Sequence, residues 1–133
     1  MFKSKLITER DMSKDFSWIL REDLVYENEK YTITVKVGFD FDFASIPWLL
    51  RRVLPKNGKK YDRGSCVHDG LYAAQALPKD ECDELFKEAN LSDGVNSALA
   101  ETMYLAVKYG GDSAYEDTED LERYKTLVEV VRK

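Results

Sequence analysis

The chain contains a single histidine, and an aspartate follows it directly: His68-Asp69, within Cys66-Val67-His68-Asp69-Gly70-Leu71-Tyr72. A second dense segment lies upstream, Gly38-Phe39-Asp40-Phe41-Asp42-Phe43-Ala44-Ser45-Ile46-Pro47. A carboxylate set among Phe, Ala, Ile and Pro is costly unless it has a partner. The two segments are therefore expected to meet, with the Asp42 carboxylate reaching the His68 imidazole. A third acid, Asp83, arrives from the next helix. An imidazole held by carboxylates is the arrangement of a general base, or of a metal ligand with an oriented ring.

The residues also have plainer duties. His68 and Asp69 are neighbours on a helix and point about 100° apart, so each needs a partner elsewhere. Tyr72 sits one turn after His68 on the same face. Asp83 borders the apolar pair Cys82 and Phe86, so a tight helical hairpin around Pro78 can bring it to His68 or Asp69. The candidate catalytic cluster is thus His68, Asp69, Asp42, Asp83, Ser45 and Tyr72. Asp42, His68, Asp69 and Asp83 form an oxygen-rich set suited to a divalent metal ion such as Mg²⁺ or Mn²⁺. Against this, Asp42 or Ser45 can simply cap the N–H groups of a turn and short helix. His68 can equally be a satisfied core histidine.

The bulk numbers narrow the class. A chain of 133 residues with 44% hydrophobic and 34% charged content suits one globular domain. Two cysteines, Cys66 and Cys82, do not make a disulfide framework, and reduced thiols are expected. The polar stretch Met1 to Arg10 has no signal-peptide core, and no apolar run is long enough to span a bilayer, so neither secretion nor membrane insertion is expected. A net charge of −5 argues against general nucleic-acid binding. From Trp48 to Arg63, however, six basic residues stand against one acid, so a local basic stretch sits beside the candidate site. Arg51, Arg52, Lys59 and Lys60 are the candidates for holding an anionic substrate group. No phosphate-cradling glycine loop, nucleophile elbow or Cys–His pair at a known spacing is present.

The elements that must position these groups read as strands first and helices afterwards, an α+β order. Tyr31, Ile33, Val35 and Val37 alternate with Thr32, Thr34 and Lys36 as a half-buried strand. Leu24-Val25-Tyr26 precedes it across a turn at Glu27 to Lys30. Phe16, Trp18 and Leu20 alternate again, and Lys5 to Glu9 can add an edge. The expectation is a small N-terminal antiparallel sheet, over about 5–43, packed against a C-terminal bundle of three to four helices, all in one domain over 1–133. A short helix is predicted over about 47–54, opened by Pro47, with a basic loop over 55–63. Helices follow over about 63–132. The first buries Cys66, Val67, Gly70, Leu71 and Ala74. The second opens at Pro78 and buries Cys82, Leu85, Phe86 and Ala89. The third is capped by Ser92 or Asp93 and buries Val95, Ala98, Leu99, Thr102, Ala106 and Tyr109, ending at Gly110-Gly111. The last runs from about Thr118 with Leu121, Tyr124, Val128 and Val131 on one stripe.

These residues carry a resemblance. The Asp42-Phe43-Ala44-Ser45-Ile46-Pro47 block, the His68-Asp69 doublet with Leu71-Tyr72, Asp83 with Phe86, and Met103-Tyr104 with Ala106-Val107-Lys108 and Gly110 resemble the domain-of-unknown-function 1353 family. The likeness spans roughly 31–111. It departs at Phe41, where threonine is usual before the aspartate. The resemblance implies a bacteriophage or prophage origin and no established activity. It also implies that Asp42, Ser45, His68, Asp69, Tyr72 and Asp83 are the shared polar set. A local likeness to the phospholipase A2 helix stops at the His-Asp doublet and its tyrosine, because the calcium loop and disulfides are missing.

Two functions follow as expectations. One is a phage accessory or virion-assembly protein that binds a protein partner, phage or host, its His/Asp cluster tying sheet to helices. It would reside in the host cytoplasm during infection, or in the virion. The other is a metal-assisted hydrolase acting on an anionic substrate, with His68 as base or ligand. A catalytic site would lie in a cleft with reachable carboxylates, whereas a structural cluster would be buried with its hydrogen bonds satisfied.

Overall fold

Strand alternation in the first 41 residues builds two small antiparallel sheets rather than one meander. The computed structural model describes residues 1–12, 17–41, 60–117 and 119–133. β1 (Thr8–Arg10), β2 (Trp18–Leu20) and β5 (Asp40–Phe41) form one sheet in the order β1-β2-β5. β3 (Leu24–Glu27), β4 (Tyr31–Val35) and β6 (Val128–Arg132) form the other in the order β3-β4-β6. The chain turns between Leu20 and Leu24, both wholly buried, so the second sheet folds over the same core instead of extending the first. Leu24, Tyr26, Tyr31, Ile33 and Val35 supply the buried face that the alternation predicts.

The helices are α1 (Asp62–Ala74), α2 (Lys79–Ser92), α3 (Ser97–Gly110) and the short α4 (Asp112–Glu116) and α5 (Leu121–Lys125). α1 is the central element. Ten of its residues are buried, Gly64 to Tyr72 and Ala74, because it lies against both the strands and α2. Gly70 permits that approach: a Cβ there would stand 3.1 Å from Val35 Cγ2 and 3.4 Å from Val128 Cγ2. α2 buries Cys82, Leu85, Phe86 and Ala89 as the spacing predicts, with Asp83 and Asn90 beside them. Asp80 and Glu81 occupy its first turn, where the helix dipole favours acids.

Three expectations are corrected. α3 is capped by Asn96, whose Oδ1 accepts from Ala98 N–H at 2.9 Å, not by Ser92 or Asp93, which close α2. Its inward face is Ala100, Met103 and Val107, with Leu99 and Ala106 at the margin, while Thr102 and Tyr109 face solvent. Met103 and Val107 pack on Phe86, which rotates the helix away from the stripe containing Thr102. Finally, the chain does not remain helical to 132. Helix α5 stops at Lys125, and Val128–Arg132 pairs antiparallel with β4 from Tyr31↔Arg132 to Val35↔Val128. Val128, Val130 and Val131 fit a pleated surface beside β4, and the available ladder outweighs their helical spacing. The segment 42–59, with the expected short helix and most of the basic loop, lies outside the described residues.

Candidate functional site

The site grows from the α1–α2 hairpin. Pro78 and the left-handed Gln75 (φ 45°) turn the chain sharply between the two helices. The turn sets His68 and Tyr72 of α1 against Asp83 of α2. His68 Nε2 lies 2.8 Å from Asp83 Oδ1, and the Tyr72 hydroxyl donates to the same oxygen at 2.5 Å. Lys79, one turn before Asp83, donates from Nζ to Oδ2 at 2.8 Å. The Asp83 carboxylate thus accepts from three side chains through both oxygens. His68 is 0% exposed, Asp83 1% and Tyr72 2%.

Lys79 extends the hub to a third helix. Its ammonium also donates to the carbonyls of Val107 (2.9 Å) and Lys108 (3.1 Å), in the last turn of α3. Those carbonyls carry the negative end of the helix dipole, so a cation is favoured there. Gly111, just past α3, fits closely: a Cβ would lie 2.5 Å from Val107 O and 2.8 Å from the Tyr72 hydroxyl oxygen. Aromatic rings enclose the imidazole, Phe86 stacked at 4.5 Å between centroids and Tyr72 tilted at 4.1 Å.

Burial decides the charge states. It lowers the His68 pKa more than the hydrogen bond and charge of Asp83 raise it, so the ring is neutral at pH 7. Burial pushes the Asp83 carboxyl up, but the hydrogen bonds from His68, Lys79 and Tyr72 outweigh it and hold the group below the usual aspartate range. Tyr72 is raised by burial and by its bond to Asp83. An ionised carboxylate only accepts, so the neutral ring carries its proton on Nε2 and donates to Asp83. The hub is a neutral imidazole, a neutral phenol and an ammonium around one carboxylate.

Of the predicted cluster, the structure brings together His68, Tyr72 and Asp83. Asp69 is buried on the adjoining face of α1. Asp42 and Ser45 lie outside the described residues, as do Arg51, Arg52 and Lys59 of the expected anion-binding set. Lys60 is exposed, its side chain near Gly94. Asp40, in the same upstream block, pairs with Arg123 at 2.7 Å. Among the described residues, no group of three or more His, Cys, Asp or Glu could hold a metal ion. Cys66 and Cys82 are free and buried, with burial pushing the Cys82 thiol up to about 12.

Sequence reasoning missed Lys79, although its i,i+4 spacing to Asp83 was a usable signal. It also missed the outer acids of α2. Glu88 accepts from Tyr26 and Asn28, and Glu81 accepts from Tyr31 at 3.0 Å, so both tie α2 to the β3–β4 hairpin. These acids, with Glu29 and Glu84, line a surface groove of about 360 Å³ to which neither His68 nor Asp83 contributes.

Comparison with known proteins returns one family. The family model described as "Protein of unknown function (DUF1353)" matches residues 18–107, covering all four residues of the hub. No curated protein and no solved structure matches the chain. Among the described residues, no helix is long and apolar enough to cross a membrane.

Proposed function

As the chain belongs to the DUF1353 family, whose description assigns no activity, we propose from the geometry that it is a non-catalytic accessory or virion-assembly protein of phage type, acting by binding a protein partner. One observation carries this reading: Asp83 is buried with both oxygens bonded to protein donors, and its imidazole partner is wholly buried and neutral. A carboxylate so engaged is a clamp joining α1, α2 and the end of α3. A partner protein, phage or host, would meet the outer surface, in the host cytoplasm or in the virion.

One observation favours the alternative, a metal-assisted hydrolase of an anionic substrate. A carboxylate that fixes the tautomer of an imidazole is also how a general base is oriented. Elemental analysis of the purified protein, followed by His68→Asn, separates the two. The clamp reading expects no stoichiometric metal and a large fall in melting temperature. Bound divalent metal that His68→Asn releases with the melting temperature unchanged would establish the hydrolase reading instead.

A further inference from the structure

The two outer edges of the β3-β4-β6 sheet are treated differently. At the β3 edge the N-terminal residues add a short antiparallel segment. Lys3 N–H donates to Val25 C=O, Glu27 N–H to Met1 C=O, and Phe2 bridges Tyr26. Among the described residues, the β6 edge has no such cover. Lys36 N–H donates to Leu127 C=O at 2.8 Å, and Lys133 N–H to Lys30 C=O at 2.9 Å. With the register Val35↔Val128 to Tyr31↔Arg132, the odd residues from 127 to 133 turn their backbone groups toward β4. Val128, Val130 and Arg132 turn theirs outward. No hydrogen bond within the described residues reaches them there. The strand is exposed as well as open, with Val131 49% accessible. An open edge bearing valines is a template for another strand, and proteins normally blunt or pair such edges.

The side chains identify the strand that fits. Successive residues alternate faces, so Glu129, Val131 and Lys133 lie on one face of β6. An antiparallel partner must set outward-turned residues opposite one another, which restricts a symmetric pairing of β6 with itself to axes passing through a residue. An axis at Val131 sets Val131 opposite its own copy and Glu129 opposite Lys133 of the second chain, twice. Val130 and Arg132 then exchange backbone hydrogen bonds with Arg132 and Val130 of the copy. An axis at Val130 instead sets Glu129 against Val131 and loses both charge pairs. The acid–valine–lysine order is therefore self-complementary in one register.

We propose that the β6 edge is an interaction surface for a second copy of this chain, joining two three-stranded sheets into one continuous six-stranded sheet about a twofold axis at Val131. The proposal goes beyond the accessory-protein reading and does not depend on it. Each β6 residue acts on both chains, as in any isologous interface. The contact is one short strand wide, so the dimer is weak and concentration-dependent. Glu129 already lies 3.6 Å from Lys36, and Lys133 pairs with Glu27 within the chain. These pairs are solvent-exposed and yield little when they re-pair across the axis.

The test is sedimentation of the full chain over a wide concentration range, with amide exchange read at low and high concentration. The expected mass moves from 15.4 kDa toward twice that value, and protection rises at the Val130 and Arg132 amides. Val130→Pro removes an outward N–H without touching the β4 ladder and should abolish the dimer. Should that variant fail to fold, Glu129→Lys serves in its place. It sets lysine against Lys133 of the copy at both ends, weakening the dimer roughly tenfold. The double variant Glu129→Lys/Lys133→Glu should restore it. A mass that stays at 15.4 kDa throughout overturns the proposal. So does a dimer indifferent to Glu129→Lys, or one in which the Val130 and Arg132 amides exchange as fast as in the monomer.

Discussion

Replacing Asp83 by Ala removes the acceptor shared by His68, Tyr72 and Lys79. The His68 ring N–H and the Tyr72 hydroxyl are then left as buried donors, each costing about 1–3 kcal/mol. Lys79 loses less, because it keeps the Val107 and Lys108 carbonyls and is partly exposed. The total is about 3–5 kcal/mol, the range found when one partner of a buried charged pair is removed. That is a large share of the roughly 5–15 kcal/mol that holds a domain together. Urea unfolding followed by circular dichroism is the assay. With a slope of about 2 kcal/mol per molar, the midpoint should fall by about 2 M with the slope unchanged. Tyr72→Phe is the control: it deletes one donor and leaves Asp83 bonded to His68 and Lys79, so about 1 kcal/mol is expected. The clamp is refuted if Asp83→Ala costs less than about 1 kcal/mol, or no more than Tyr72→Phe.

Four further outcomes follow. Gly111→Ala should cost about 1–3 kcal/mol, since its Cβ meets the Val107 carbonyl and the Tyr72 hydroxyl; a thermal melt checks this, and an unchanged midpoint would contradict the packing. Stability should fall as pH drops below about 6.5, because an unfolded histidine takes up a proton that folded His68, with its lowered pKa, refuses; His68→Gln should flatten that limb. The Asp83 contribution is present above the ordinary aspartate range and is lost only at lower pH, as the carboxyl protonates through its depressed folded pKa, so a second and steeper loss is expected below about pH 4. Cys66 and Cys82 should resist a thiol reagent in the native protein and react only on unfolding; fast native labelling of either would contradict their burial.

Much of this architecture is legible in local sequence. The Tyr31–Val35 alternation, the α2 stripe and the Pro78 hairpin each follow from spacing, and they suffice to bring Asp83 to His68. What is not legible depends on contacts far apart in the chain. Val128 and Val131 stand at helical spacing while Val128 and Val130 stand at strand spacing, and only the presence of β4 about a hundred residues earlier makes the segment a strand. The α3 face has two apolar stripes about one residue apart, and Phe86 selects between them. Lys79 looks like a solvated charge in a first turn until the end of α3 arrives beside it. The single sheet divides into two because Leu20 and Leu24 are both drawn into the core around a tight turn.

The most direct measurement is a nitrogen-15 spectrum of the imidazole as a function of pH, which a lone histidine makes free of overlap. A buried, neutral ring donating to Asp83 predicts a proton on Nε2, an unprotonated Nδ1, and signals that do not move as pH passes through 6.5. A ring that titrates near 6.5, or that carries its neutral-form proton on Nδ1, would contradict the clamp.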